Sequence, residues 1–140
     1  LMFNVSHGKE VVLHVRNNMG VLGEIARLVA ERGGEVNAVS GSVEEDLCVL
    51  RLITDDNLRM CDVLREHGYA PQEEDVVLLE LPHKPGMLRK LTVRLGEENI
   101  DIRSLYASAS PKDAHCLIVL RTTNDARAMV ALCEYETEYA

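Results

Sequence analysis

The chain has 140 residues, the length of one ordinary domain or two very small ones. Its 46% hydrophobic and 27% charged residues are a globular composition and exclude a disordered one. Fifteen Lys and Arg against 23 Asp and Glu leave a net charge of -8, which argues against nucleic acid or an anionic membrane as a partner held by bulk electrostatics.

No apolar run approaches ~18 residues, so no membrane-spanning helix is expected. Residues 1–8 have neither a basic start nor an apolar stretch, and no signal peptide is expected from them. The cysteines, at 48, 61, 116 and 133, form no CxxC pair and read as reduced core thiols of a cytoplasmic protein.

A first strand is expected at 11–16, where Val11, Leu13 and Val15 alternate with Val12, His14 and Arg16. A loop with glycine, Asn17-Asn18-Met19-Gly20, leads to a helix on which Leu22, Ile25, Leu28 and Val29 share a face. Gly33 falls just past it, and glycine accepts the left-handed turn that ends helices. A second strand follows near 35–43, then an acidic turn at Glu44-Glu45-Asp46. The third strand, near 47–53, is apolar almost throughout, as a central strand covered on both faces is. Thr54-Asp55-Asp56 announces a second helix carrying Leu58, Cys61 and Leu64. Gly68 ends it, Tyr69-Ala70 begins a short last strand, and Gln72-Glu73-Glu74-Asp75 is the candidate linker.

The same series then recurs. Val77, Leu79 and Leu81 alternate with Leu78, Glu80 and Pro82. The loop is His83-Lys84-Pro85-Gly86, with Pro85 suited to a first helical turn. Leu88, Leu91 and Leu95 form the helix face, and Asn99 matches Gly33. Strands follow near 100–109 and 115–121. Thr122-Thr123-Asn124 opens a last helix with Ala126, Met129, Val130 and Cys133 on its face. Residues 134–140 lack a helix-ending glycine and read as a ragged edge strand or a frayed end.

A shift of 66 places Val11 on Val77, Leu13 on Leu79, Gly20 on Gly86, Glu31 on Glu97 and Ser42 on Ser108. Past position 45 a shift of 68 places Cys48 on Cys116, Thr54 on Thr122, Arg59 on Arg127 and Leu64 on Leu132. The extra residues fall in a hairpin turn, where length changes are tolerated. The chain is therefore one unit written twice. Each unit reads β-α-β-β-α-β, an α+β fold of two ferredoxin-like units. Each has an antiparallel four-stranded sheet with both helices on one face. The expected division is residues 1–72 and 73–140. A unit of this size buries only about 60% of its unfolded-chain surface, so one alone would be marginal. On the helix-free face Val12, Val49, Leu78, Leu117 and Val119 predict coverage by another sheet, as in a homodimer.

Catalytic signatures are absent: no HExxH, GxSxG, Walker loop or GxGxxG occurs. His14 has no partner in the sequence. Cys48 and Cys116, in matched apolar strands, read as packing. His115 and Cys116 are strand neighbours on opposite faces and do not chelate one metal together. Glu44-Glu45-Asp46 and Glu73-Glu74-Asp75 read as solvated turns rather than cation sites. No catalysis, cofactor or metal is expected. The glycine loops differ. Each opens a helix whose first N–H groups lack intrahelical partners and, with the helix dipole, favour a small anion such as a carboxylate. A plain tight turn also explains them, and geometry alone favours it.

The segment Leu81-Pro82-His83-Lys84-Pro85-Gly86-Met87-Leu88, continuing to Leu95 and then Asn99-Ile100-Asp101-Ile102, resembles the ACT domain signature. That signature is a strand, a Pro-Gly-x-Leu helix start, a Leu about seven residues on and an Ile-x-Ile second strand. The first copy resembles it less closely, through Met19-Gly20-Val21-Leu22, Leu28 or Val29, and Val36. The resemblance covers about residues 10–70 and 75–135. It implies a free-standing tandem pair without a catalytic domain: a regulatory module, homodimeric, that binds an amino acid or similar small carboxylate at ACT–ACT interfaces. An unidentified enzyme or regulator would respond to it. The implied first site is Asn17, Asn18, Met19, Gly20, Val21 and Leu22, and the second His83, Lys84, Pro85, Gly86, Met87 and Leu88. Second-strand residues Asn37, Ala38 and Val39, and Asp101, Ile102 and Arg103, would come from the facing copy. Asn17 would bond a carboxylate or amine, Asp101 would pair with an ammonium group, and Met19 and Met87 would flank a side-chain pocket. The chain departs from the family in having Asn17 and His83 where many members carry an acidic residue, and Met19 opposite Pro85, so one of the loops is a candidate for having lost its ligand. The rival expectation is a structural or protein-interaction module that dimerises with empty pockets.

Overall fold

The computed structural model describes residues 4–32, 34–82, 85–110 and 115–139, with side chains described for all of these but 109, 110 and 134–139. The chain forms two compact units of the ferredoxin-like kind. The first is Lys9–Glu74 and the second is Leu1–Gly8 with Asp75–Ala140.

In the first unit, strand β1 (Asn4–Arg16) is followed by helix α1 (Val21–Arg32), strands β2 (Val36–Glu44) and β3 (Leu47–Thr54), and helix α2 (Asn57–Glu66). β3 lies between β1 and β2 and is antiparallel to both, with Leu13 opposite Leu50 and Val39 opposite Leu52. That central place accounts for its apolar run. Val11 and Leu13 of β1 and Leu50 and Leu52 of β3 face Ile25 and Val29 of α1 and Met60 and Leu64 of α2. The buried stripe of α1 is Val21, Ile25, Leu28 and Val29, at helical spacing. Leu22, expected on that face, is exposed, because Val21 takes its place one residue earlier. α2 likewise buries Met60, Cys61, Val63 and Leu64 and exposes Leu58. Asp56 Oδ1 caps α2 by accepting from the Arg59 N–H at 3.1 Å, a contact of about 1 kcal/mol.

The acidic run expected as a linker is the start of strand β4 (Gln72–Pro82). Its charge is partly neutralised where it lies. Arg51 Nη1 donates to Glu74 Oε2 at 2.9 Å and to Glu10 Oε1 at 2.5 Å. The Glu10 side chain is 0% exposed. Burial works against the Arg51 charge, but the hydrogen bonds and negative charges of Glu74 and Glu10 outweigh it and raise the Arg51 pKa. Arg51 sits opposite Val12, on the sheet face away from the helices.

In the second unit, β4 leads to helix α3 (Met87–Glu97), strands β5 (Ile102–Ser110) and β6 (His115–Thr122), and helix α4 (Asp125–Tyr139). β6 is central, with Leu79 opposite Ile118 and Leu105 opposite Leu120. The core gathers Val77, Leu79, Leu91, Leu95, Ile118 and Leu132, and Val5 of β1 packs against it. β1 thus begins earlier than its expected start at Val11. The expected strand or frayed end at residues 134–140 is helix as far as Tyr139. Nothing in residues 134–139 is Gly or Pro, so no residue stops the helix. α4 buries Ala128, Ala131 and Leu132 and exposes Val130 and Cys133. Of the expected face, Met129 packs on the core, while Ala126, Val130 and Cys133 are exposed. Asn99 has the expected positive φ of 59°; its counterpart Gly33 lies outside the described residues.

Val12 and Val119 are buried, and Val49, Leu78 and Leu117 half-buried, in the single chain. None of the four cysteines forms a disulfide; Cys48 and Cys61 are buried, Cys116 half-buried and Cys133 exposed. Cys133 therefore departs from the core placement expected of it. Burial pushes the Cys61 and Cys116 thiols up.

Two outcomes follow. Arg51→Met removes the guanidinium from a fully buried carboxylate and should lower unfolding free energy by about 3 kcal/mol, read by urea denaturation; a loss as small as an exposed pair gives would refute the role assigned to Arg51. Iodoacetamide should modify Cys133 in the native protein and reach Cys48 and Cys61 only on unfolding, as peptide mapping would report.

Candidate functional site

The loop after β1 is tied at its start, where the Asn17 N–H donates to the Asp46 carbonyl at 2.7 Å. The Val21 N–H donates to Asn18 at 3.3 Å and the Glu24 N–H to Gly20 at 3.0 Å. The N–H groups of Leu22 and Gly23 have no acceptor among the described residues. Asn17, Asn18, Met19 and Gly20 are all exposed, Met19 completely. In the second unit Gly86 precedes α3, and the Lys90 N–H donates to its carbonyl at 3.0 Å. Pro85 and Gly86 are exposed, Leu88 is half exposed, and Met87 packs on the core. His83 and Lys84 lie outside the described residues.

Gly20 and Gly86 have φ of 91° and 86°. A Cβ at either would meet nothing within 4 Å. The left-handed backbone, rather than a close neighbour, therefore imposes glycine here.

The second strands carry a feature the sequence did not signal. Register steps between Val36 and Ala38 in β2 and between Ile102 and Ser104 in β5. The skipped residues, Asn37 and Arg103, occupy equivalent places and are both exposed. Such bulges redirect side chains and recur beside functional sites. The pleat also divides the expected runs. Ala38 is buried while Val39 is 56% exposed on the other face. Ile102 packs on the second core while Arg103 is exposed. Asp101 is exposed and lies just before β5, its N–H donating to Thr123 Oγ1 at 3.1 Å.

The first unit has an open apolar groove of about 550 Å³ between α1 and β2. Leu22, Ala26 and Ala30 line it from α1, Val39 and Gly41 from β2, and Leu50 and Leu52 of β3 lie beneath. Leu22 and Val39 line it from the same unit, whereas Val39 was expected from a facing copy. The sequence signal for it is a pair of alanines four residues apart on the exposed side of a helix, facing a glycine in a strand. The groove starts beside the first turn of α1, so an apolar group there lies near unpartnered backbone N–H groups. Among the described residues no group of three or more His, Cys, Asp or Glu is placed to hold a metal. No helix among them is long and apolar enough to cross a membrane.

The profile of the ACT domain pair family matches residues 8–140. No curated protein matches the chain. Protein BT0572 from Bacteroides thetaiotaomicron is similar in structure, with a TM-score of 0.85 at 24% identity over 94% of this chain and 90% of that one. The ligand-free regulatory subunit of aspartate kinase from Thermus thermophilus gives a TM-score of 0.60 at 12% identity, over 94% and 95%. The Thermus flavus regulatory subunit gives 0.58 at 13%, over 95% and 94%. These likenesses show the fold.

Gly86→Ala should cost about 1 kcal/mol through its left-handed backbone. Gly41→Ala, which meets only Leu50 at 3.6 Å and has ordinary φ, should be neutral or stabilising. Paired urea titrations compare them, and equal costs would contradict the backbone explanation.

Proposed function

Because the chain belongs to the ACT domain pair family, we propose that it is a non-catalytic regulatory module binding an amino acid or similar small carboxylate. The observation that supports this most is the groove of the first unit, which begins at the start of α1 beside the N–H groups of Leu22 and Gly23. The ligand carboxylate accepts from those N–H groups, aided by the helix dipole. Asn17 and Asn18 flank it, and Gly20 sets the turn. Val39 lines the groove from within the unit, and Asn37 of a facing copy completes the site. The loop from His83 to Leu88, with Asp101 and Arg103, is the equivalent place in the second unit.

The working form is a cytoplasmic homodimer in which second-strand edges meet. Val39 and Val43 of β2 leave an apolar edge exposed, which supports that pairing. A ligand held between copies favours one arrangement by its difference in affinity for the alternatives, and an enzyme or regulator reads that shift. The regulatory subunits of aspartate kinase, similar in fold, are regulatory by name.

A thermal-shift panel of the twenty amino acids tests the proposal. A ligand at a hundredfold its Kd stabilises by about 2.7 kcal/mol, a rise of several degrees. A selective, stereospecific rise is expected. A flat panel would transfer the assignment to a dimerising protein-interaction module.

A further inference from the structure

Resting on that amino-acid-binding role, we propose that the ligand's side chain is aliphatic and lies in the groove of the first unit, while the equivalent place in the second unit is closed by its own side chains.

The two copies can be aligned here by matching hydrogen bonds. In the first, the Glu35 N–H donates to Asp55 Oδ1 at 3.0 Å and the Asp55 N–H to the Glu35 carbonyl at 3.2 Å. In the second, the Asp101 N–H donates to Thr123 Oγ1 at 3.1 Å and the Thr123 N–H to the Asp101 carbonyl at 3.0 Å. Gly34 therefore corresponds to Ile100, Val39 to Leu105 and Gly41 to Ala107. Ile100 is buried in the second core, and Leu105 packs against it. Gly34 has no side chain to do the same. Its φ is 87°, and a Cβ there would lie 2.8 Å from Asp55 Oδ1. The shorter Val39 is 56% exposed instead of packed. The positions that Ile100 and Leu105 pack into the core of one copy line the groove in the other.

About 550 Å³ lies within the range of small-ligand pockets, roughly 300–1,000 Å³. Among the described residues no charged side chain lines the groove. An acidic or basic ligand side chain would lose its water there without gaining a partner. An aliphatic one exchanges water for the alanines of α1 and the leucines of β3.

Isothermal titration of the full chain with L-leucine, L-valine, L-aspartate and L-lysine tests this. Gly41→Val and Ala26→Leu fill the groove from opposite walls, and circular dichroism checks that each folds. L-leucine or L-valine should bind the wild-type chain, and both filled variants should weaken it at least tenfold. Ala107→Val in the second unit should leave affinity within twofold. Unchanged affinity in a folded filled variant would overturn the inference. So would preference for L-aspartate or L-lysine, which leaves the amino-acid-binding role standing. Loss of the dimer by light scattering with affinity intact would assign the groove to a second copy of the chain. No binding of any amino acid by the wild-type chain would overturn the role itself and this inference with it.

Discussion

In both units a pair of hydrogen bonds clamps the start of the second strand to the end of the third: Glu35 with Asp55, and Asp101 with Thr123. The clamp sets where β2 and β5 enter their sheets, and the bulges at Asn37 and Arg103 follow two residues later in each. In the first unit the clamp uses a carboxylate, and Asp55 Oδ1 stands 2.8 Å from where a Cβ of residue 34 would be. In the second it uses the hydroxyl of Thr123, and a full isoleucine side chain fits at residue 100. One change of clamping residue thus accompanies a filled core in one copy and an open groove in the other.

The second organising contact is the Glu10–Arg51–Glu74 cluster. A carboxylate without exposure needs a cation and good geometry to stay charged. Arg51 supplies both from the central strand, and it holds residues near the start and end of the first unit together. The helices close the opposite face, so the ion cluster and the helix packing lie on opposite sides of these strands. The proposed site then lies along β2 and α1, where neither device reaches.

The internal repeat, with its hairpin length change, made the two-unit architecture legible, because period-two and helical patterns match across the copies. Glycines 20 and 86 were legible as well, although the cause is a positive φ rather than close approach. Three features were not legible. The buried Glu10 looked like an ordinary surface acid, since its partners lie far off in sequence at Arg51 and Glu74. Residues 4–8 and 72–75 looked like flanks because polar residues in a strand carry little signal. The stripe of α4 was legible at Met129 but otherwise misplaced, because its packing residues Ala128 and Ala131 weigh less than the exposed Val130 in any pattern of hydrophobicity. The groove escaped for the same reason: it is made by what is missing at Gly34 and Gly41.

The most direct measurement is the amide NMR spectrum of the full chain titrated with L-leucine. Shifts clustered at Leu22, Gly23 and Gly41, with Leu88, Arg89 and Ala107 unmoved, would place an aliphatic amino acid at the first unit's groove and helix start. Saturating ligand that leaves Leu22, Gly23 and Gly41 unmoved would contradict it.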